Sequence, residues 1–326
     1  MSLPENLQEA IAKEAEKFNL GQISLAREEL SDRYQKTDRP KGPLILTDAE
    51  RCAYLVARLP ATYAVIRRVL NEIHLSPSET IESLLDLGAG PGSAMWAACE
   101  CFSSLDQITL VENDASLMTL GKRLALSSDV PAIQSANWLL RGMESLNGVS
   151  THDLVILSYS IGEIPQRAIE PLIEACWNLT KRYLVIIEPG TPVGFERIRA
   201  IRRQLITLKG EMIAPCPHAN ICPMKEGDWC HFSERIERSS LHRKIKNGAL
   251  GYEDEKYSYV IFSKTSSSLP EARVLRHPQK RSGHVILSLC GKEGLRQQTV
   301  SKRTPEDYKA ARKLEWSERW NGCEQT

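Results

Sequence analysis

The chain has 326 residues, 42% of them hydrophobic and 25% charged, which is enough for a sizeable core and excludes wholesale disorder. Its net charge of +1 conceals an asymmetry, because residues 1–194 carry 17 basic and 25 acidic side chains while residues 195–326 carry 25 and 16. No apolar run has the length of a membrane span, and "MSLPENLQEAIAKEAEKF" lacks the layout of a secretory signal, so the expected setting is cytoplasmic with no membrane partner.

Residues 1–77 read as an N-terminal helical region. It is clearest in "LTDAERCAYLVARLPATYAVIRRVLNEI", where Thr47 or Asp48 can cap and apolar residues recur at three- and four-residue steps. Pro40 to Pro43 divide this region, and "HLSPSET" ends it. From Ile81 short apolar runs alternate with helical segments: "SLLDLGAG", "QITLVEND", "HDLVILSYS", "RYLVIIEPG", "YSYVIFSK" and "HVILSLC". Such alternation predicts an α/β, Rossmann-like sheet over residues 78–292, the last two runs forming an antiparallel edge. A cysteine-rich insertion is expected over 211–250 and a basic tail over 293–326.

"LLDLGAGPGSA" places a buried strand before a glycine turn at Gly88, Gly90 and Gly92, where backbone can approach a ligand closely. The next strand ends in "LVEND", and a carboxylate at Glu112 can accept both hydroxyls of a ribose. Tyr159, Ser160 and Glu163, at the end of the next run, are candidate pocket residues. No catalytic residue is assigned.

Nine cysteines in a reducing compartment point to metal or redox chemistry rather than disulfides. "APCPHANICPMKEGDWCHF" holds Cys216, Cys222 and Cys230, with prolines after the first two and Trp229 and Phe232 as an apolar shell. Cys290, closing "HVILSLC", is the leading fourth ligand, with His218 or His231 as the substitute in a Cys3His zinc site. The spacing leaves zinc and an iron-sulfur cluster both open, because it contains no Cys-x2-Cys knuckle. A radical enzyme is disfavoured by the absence of Cys-x3-Cys-x2-Cys. Cys52, Cys99, Cys101, Cys176 and Cys323 read as core or incidental thiols. The neighbouring "SERIERSSLHRKIKNG" offers Arg235, Arg238, Arg243, Lys244 and Lys246 to a polyanion, with RNA the expected one.

"LDLGAGPG" followed by "LVEND" resembles the nucleoside-binding half of class I S-adenosylmethionine-dependent methyltransferases. The resemblance implies S-adenosylmethionine as cofactor, Asp86 near it, Glu112 on its ribose and Ala136 to Trp138 beside its adenine. The implied contacts are Asp86, Gly88, Ala89, Gly90, Gly92, Glu112, Asn113, Asn137, Trp138 and Ser158. The Asn/Asp-Pro-Pro-aromatic turn of amino-methylating members is absent from "SYSIGEIP". With "CAYLVARLPATYAVIRRVL", "VIIEPGTPVGFERIRAIR", "CPHANICP", "WCHF" and "LSLCG" added, residues 50–292 resemble the Rsm-type methyltransferase-like family of the small ribosomal subunit. That family is known from mitochondria and has bacterial relatives, and the lack of a leader suits a bacterial member. The resemblance implies a 4Fe-4S cluster on Cys216, Cys222, Cys230 and Cys290 and binding to small-subunit ribosomal RNA during assembly or translation. It leaves open whether methyl groups are transferred.

Overall fold

In the computed structural model, residues 2–35, 44–74, 79–246, 248, 250–266 and 268–322 are described. Pro40 to Pro43, most of the "HLSPSET" break and Cys323 lie outside them. The chain begins with α1 (Glu5–Ala15), α2 (Leu20–Gln35), α3 (Asp48–Ala57) and α4 (Leu59–Leu70). It continues through β1 (Ser83–Leu87), α5 (Ser93–Cys101), β2 (Gln107–Glu112), α6 (Ala115–Ala125), α7 (Pro131–Gln134) and β3 (Asn137–Leu140). Then come β4 (His152–Ser158), α8 (Gln166–Leu179), β5 (Thr180–Pro189), α9 (Pro192–Thr207), β6 (Glu211–Ala214), β7 (Phe232–Glu237), α10 (Ser240–Ile245) and β8 (Tyr252–Ser263). The last elements are β9 (Ala272–Val274), β10 (Gln279–Lys280), β11 (His284–Gly291), β12 (Gly294–Ser301), α11 (Pro305–Ala311) and β13 (Arg319–Trp320).

Two units emerge, one of residues 1–147 with 234–255 and one of 148–233 with 256–326. In the first, α3 starts with a capping box: Thr47 Oγ1 accepts from Glu50 N, and the Glu50 carboxylate accepts from Thr47 N. Arg33 of α2 grips the same carboxylate at 2.8 and 3.1 Å, which ties α2 to α3. Strand β1 is buried along its whole length, as expected of a parallel strand covered on both faces. It pairs in parallel with β2, and β2 with β3. Strand β7, helix α10 and the start of β8 close this unit, with Ile236 buried against Ala61 and Ala64 of α4.

In the second unit β4 and β5 are parallel, β8 runs antiparallel to β5 over Tyr183↔Ser263 to Pro189↔Tyr257, and β6 pairs antiparallel with β8. The antiparallel reading of "YSYVIFSK" is therefore right, but β8 lies between β5 and β6 rather than at an edge. Its residues from Tyr257 to Ser263 are all buried, which suits an interior strand.

"HVILSLC" belongs elsewhere. As β11 it pairs with β12, β9 and β10 in a second, antiparallel sheet completed by β13. Val285, Leu287 and Leu289 point alternately into its core with Val274, Val300, Leu314 and Trp320, and Tyr308 of α11 packs on top. Residues 293–326, read from the sequence as a tail, supply β12, α11 and β13 of this sheet.

Candidate functional site

Two sites take shape, one in each unit. In the first, the chain leaves β1 through Gly88, Gly90 and Gly92, whose φ angles of 70°, 55° and 90° lie in the left-handed region that side chains oppose. Gly90 N donates to Glu112 Oε2 at 2.7 Å, while Asn113 N and Asp114 N donate to Glu112 Oε1, each at 2.8 Å. Burial raises the Glu112 carboxyl above its usual range, and these three amides act against that rise.

Asp86 sits beside it on β1, fully buried, and its two carboxylate oxygens have no hydrogen-bond partner among the described residues. Burial, and after it the charge of Glu112, pushes this carboxyl up to about 8. Gly88, Gly90 and Ala89 join the pair at the mouth of the loop, and Asn113 is exposed next to it.

Asn137 and Trp138 open β3 rather than close it. The β2–β3 register sets Glu112 opposite Leu140 and Thr109 opposite Asn137, so Asn137 lies three residues, about 10 Å, back along the strand. Ligands of such sheets gather at the carboxyl ends of strands. The residue there is Arg141, whose N–H donates to Glu112 O at 2.9 Å. Trp138 packs between α6 and the glycine turn: a Cβ at Gly121 would come within 2.4 Å of its Cη2, and one at Gly92 within 3.3 Å. The overlooked signal was the strand's continuation through "LLRGM", which moves its polar exit beyond the tryptophan.

Ser158 closes β4 in the second unit and is followed by Tyr159, whose φ of 59° is rare for a bulky residue and marks local strain. Ser160 is buried and Glu163 lies in the short helical turn Ile161–Glu163.

The second site lies wholly in the second unit. Cys216, Cys222, Cys230 and Cys290 line one cavity of about 40 Å³, together with Phe195, Phe232 and Tyr259. A single water needs roughly 10–15 Å³ of such space, so this one exceeds the size of one ion. Cys290 reaches it because β11 alternates: its odd-numbered residues enter the core of the second sheet, and Cys290 points the other way.

Two buried arginines hold the loop's backbone. Arg202 of α9 donates to His218 O and Asn220 O at 2.7 and 2.8 Å, and Arg273 of β9 donates to Pro215 O and Ser317 O at 2.8 and 2.7 Å. Ser258 Oγ donates to Cys230 O at 2.8 Å, and Trp229 Nε1 to Gly190 O at 3.0 Å.

The thiols feel one another. Burial lifts Cys230 well above its ordinary value, with Cys216, Cys222 and Cys290 adding to the rise. Cys290 is pushed up to about 12 by burial and then by Cys216 and Cys222. Cys216 rises through burial, opposed by Arg202. No disulfide joins them. Four cysteines thus line one cavity, as free thiols. Among the described residues no group of three or more His, Cys, Asp or Glu is placed to hold a metal ion, so the metal-binding insertion expected from the sequence is not shown.

The two histidines separate. His218 lines the cavity with Nε2 3.6 Å from Cys290 Sγ, whereas His231 stacks on Trp229 and meets Trp316 edge-on. Burial lowers both imidazoles. Cys52 and Cys176 are buried, and Cys99 and Cys101 are partly covered on α5.

The basic segment belongs to the first unit, apart from the cysteines. Arg235 pairs with Asp254 at 2.8 Å and lies over the Tyr252 ring, Arg238 pairs with Glu253 at 3.0 Å, and Lys246 shares Glu253. Arg243 and Lys244 are exposed and outside these pairs.

A sequence model of the family described as "Mitochondrial small ribosomal subunit Rsm22" matches residues 48–321. The human "Ribosome assembly protein METTL17, mitochondrial" is 28% identical over 306 residues, covering 87% of this chain and 65% of that protein. The Saccharomyces cerevisiae "Ribosome assembly protein RSM22, mitochondrial" is 24% identical over 291 residues, 56% of this chain and 46% of that one. The chain thus spans 65% of the human relative and less than half of the yeast one.

Among solved structures, a putative RNA methyltransferase PH1948 from Pyrococcus horikoshii aligns over 74% of this chain and 96% of its own, at 12% identity and a TM-score of 0.41. The plantazolicin methyltransferase BpumL with S-adenosylhomocysteine aligns over 76% and 98%, at 8% identity and a TM-score of 0.44. The sequence relatives named here are eukaryotic and mitochondrial, which overturns the cytoplasmic placement expected from the sequence. No helix among the described residues is long and apolar enough to cross a membrane.

Proposed function

This chain belongs to the Rsm22 family of the mitochondrial small ribosomal subunit, and on that premise we propose that it binds small-subunit ribosomal RNA and acts in assembly of the subunit. The observation that carries the reading is the match over residues 48–321, which takes in both the glycine loop and all four cavity cysteines. The location proposed with it is the mitochondrion, where the relatives act.

S-adenosylmethionine is the ligand proposed for the glycine loop, against Asp86, Gly88, Ala89, Gly90, Gly92, Glu112 and Asn113, and when bound it supplies a transferable methyl group. Glu112 Oε2 accepts one amide, Gly90 N, and keeps a second acceptor position for a ribose hydroxyl. Arg141, at the carboxyl end of β3, takes the place beside the nucleoside first given to Asn137 and Trp138.

A 4Fe-4S cluster is proposed on Cys216, Cys222, Cys230 and Cys290, where it would tie the 215–231 loop to β11. His218, beside Cys290, is the neighbour that would tune it.

One observation favours a second reading, a non-catalytic assembly factor: both oxygens of Glu112 accept from the chain's own amides. Glu112→Ala and Cys222→Ser separate the two. The enzymatic reading expects Glu112→Ala to lose cofactor binding and subunit maturation together. Maturation that survives Glu112→Ala and fails with Cys222→Ser favours the assembly factor. Iron, sulfide and zinc content of protein purified without oxygen tests the cluster directly, and one zinc with no iron would remove it.

A further inference from the structure

The second sheet carries a cationic end that the assignments above leave unused. The turn 281–283 between β10 and β11, the exit of β12 and helix α11 converge there. Lys302 N donates to Gly283 O at 3.2 Å, Tyr308 Oη to Ser282 O at 3.3 Å and Arg312 Nη1 to Arg281 O at 3.3 Å. These contacts gather Arg281, Lys302, Arg303, Lys309, Arg312 and Lys313, all exposed, at one end of a single unit. Lys309, Arg312 and Lys313 follow at three- and four-residue steps and so share one side of the helix and its last turn.

Three other surface cations on or beside this sheet are neutralised. Lys280 pairs with Glu315 at 2.7 Å, Arg296 with Glu271 at 2.8 Å and Arg276 with Asp228 at 2.6 Å. None of the six takes part in an ion pair among the described residues, and the only carboxylates of the 302–313 stretch are Glu306 and Asp307. The exposed large apolar side chains lie elsewhere, at positions such as Ile221 and Leu295, so this end has nothing to insert into a lipid surface.

We infer that this end of the second sheet is a phosphate-backbone contact for RNA, the principal one on the chain, in preference to the 235–246 segment. It rests on the ribosomal RNA reading and names the surface that serves it. Unpaired, hydrated cations release counterions from a polyanion when they bind, while those already paired to Asp254 and Glu253 must first give up a partner. Six cations within one patch supply the affinity without base selectivity, so sequence choice must come from elsewhere.

The test uses the full chain and a small-subunit ribosomal RNA transcript, with binding read by fluorescence anisotropy between 50 and 200 mM salt. The combined variant Arg303→Gln, Lys309→Gln, Lys313→Gln is expected to bind at least about tenfold more weakly, with a plot of log K against log salt shallower by roughly two to three. Arg235→Gln with Lys246→Gln is expected to change affinity less than about twofold by the same principle. Equal binding by the wild type and the triple variant overturns this surface and leaves the ribosomal reading standing. A wild-type chain that fails to bind the transcript at 50 mM salt overturns the RNA reading itself. Loss of binding to phosphatidylglycerol vesicles with RNA affinity intact also overturns the inference, in favour of a membrane. An unchanged melting temperature in the triple variant shows that its exposed substitutions leave the fold alone.

Discussion

The glycine loop and the cysteine cavity treat buried polar groups in opposite ways. Around the loop, the chain answers its own carboxylate: Glu112 is held by the amides of Gly90, Asn113 and Asp114. Around the cavity, the neighbouring arginines are spent on the loop's carbonyls, and four thiols are gathered whose charged forms would repel one another. Beside Glu112, however, Asp86 keeps two unpartnered buried oxygens, while burial holds the thiols toward their neutral form. If the proposed cluster binds there, the second site is the one on which folding should depend.

Cys230→Ser tests that difference with the largest expected effect. Iron should fall from about four atoms per chain to near none, with a stability loss of about 4 kcal/mol or more in thermal unfolding. Glu112→Gln should leave iron content unchanged, and iron lost equally from both variants would falsify the contrast.

Arg273→Met comes next. It strips the donors from Pro215 O and Ser317 O inside the protein, at a cost of about 2–4 kcal/mol. The cluster should also pass to an iron chelator faster, which a purely local packing defect in the second sheet would not cause.

Gly121→Ala probes the first unit. Its Cβ would lie 2.4 Å from Trp138 Cη2 and 3.1 Å from the Pro91 backbone, so about 1–3 kcal/mol should be lost with iron content intact. An unshifted melting temperature would show that the indole is not packed against α6.

The last test is a pH slope. The folded carboxyl of Asp86 titrates near 8, above its unfolded value of about 3.9, so the folded chain holds the extra proton between those limits. Its contribution is full below the lower limit and is lost as pH rises through the upper one. Stability should decline from pH 5 to 9 in the wild type and do so less steeply in Asp86→Asn, measured by denaturant midpoints.

Adjacency along the chain decided what could be read without coordinates. The turn at Gly88, Gly90 and Gly92, the carboxylate ending β2 and the spacing of Cys216, Cys222 and Cys230 are local patterns, and each is found where its neighbours imply. Where Asn137 and Trp138 lie relative to the loop was not legible, because it depends on the register of β3 with β2. The pairing of Arg235 and Arg238 was hidden for a similar reason, since charge counted along the chain ignores Glu253 and Asp254 arriving from β8.

By itself, then, the sequence determined the order of strands and helices, the glycine turn and the thiol-rich loop, because these follow from backbone freedom and short-range periodicity. Tertiary structure alone decided that β11 leaves the main sheet for a second one, that its alternation turns Cys290 into the cavity, and which cations stay unpaired. Those outcomes depend on groups far apart in the chain meeting at a few ångströms, where pairing and burial set the energies.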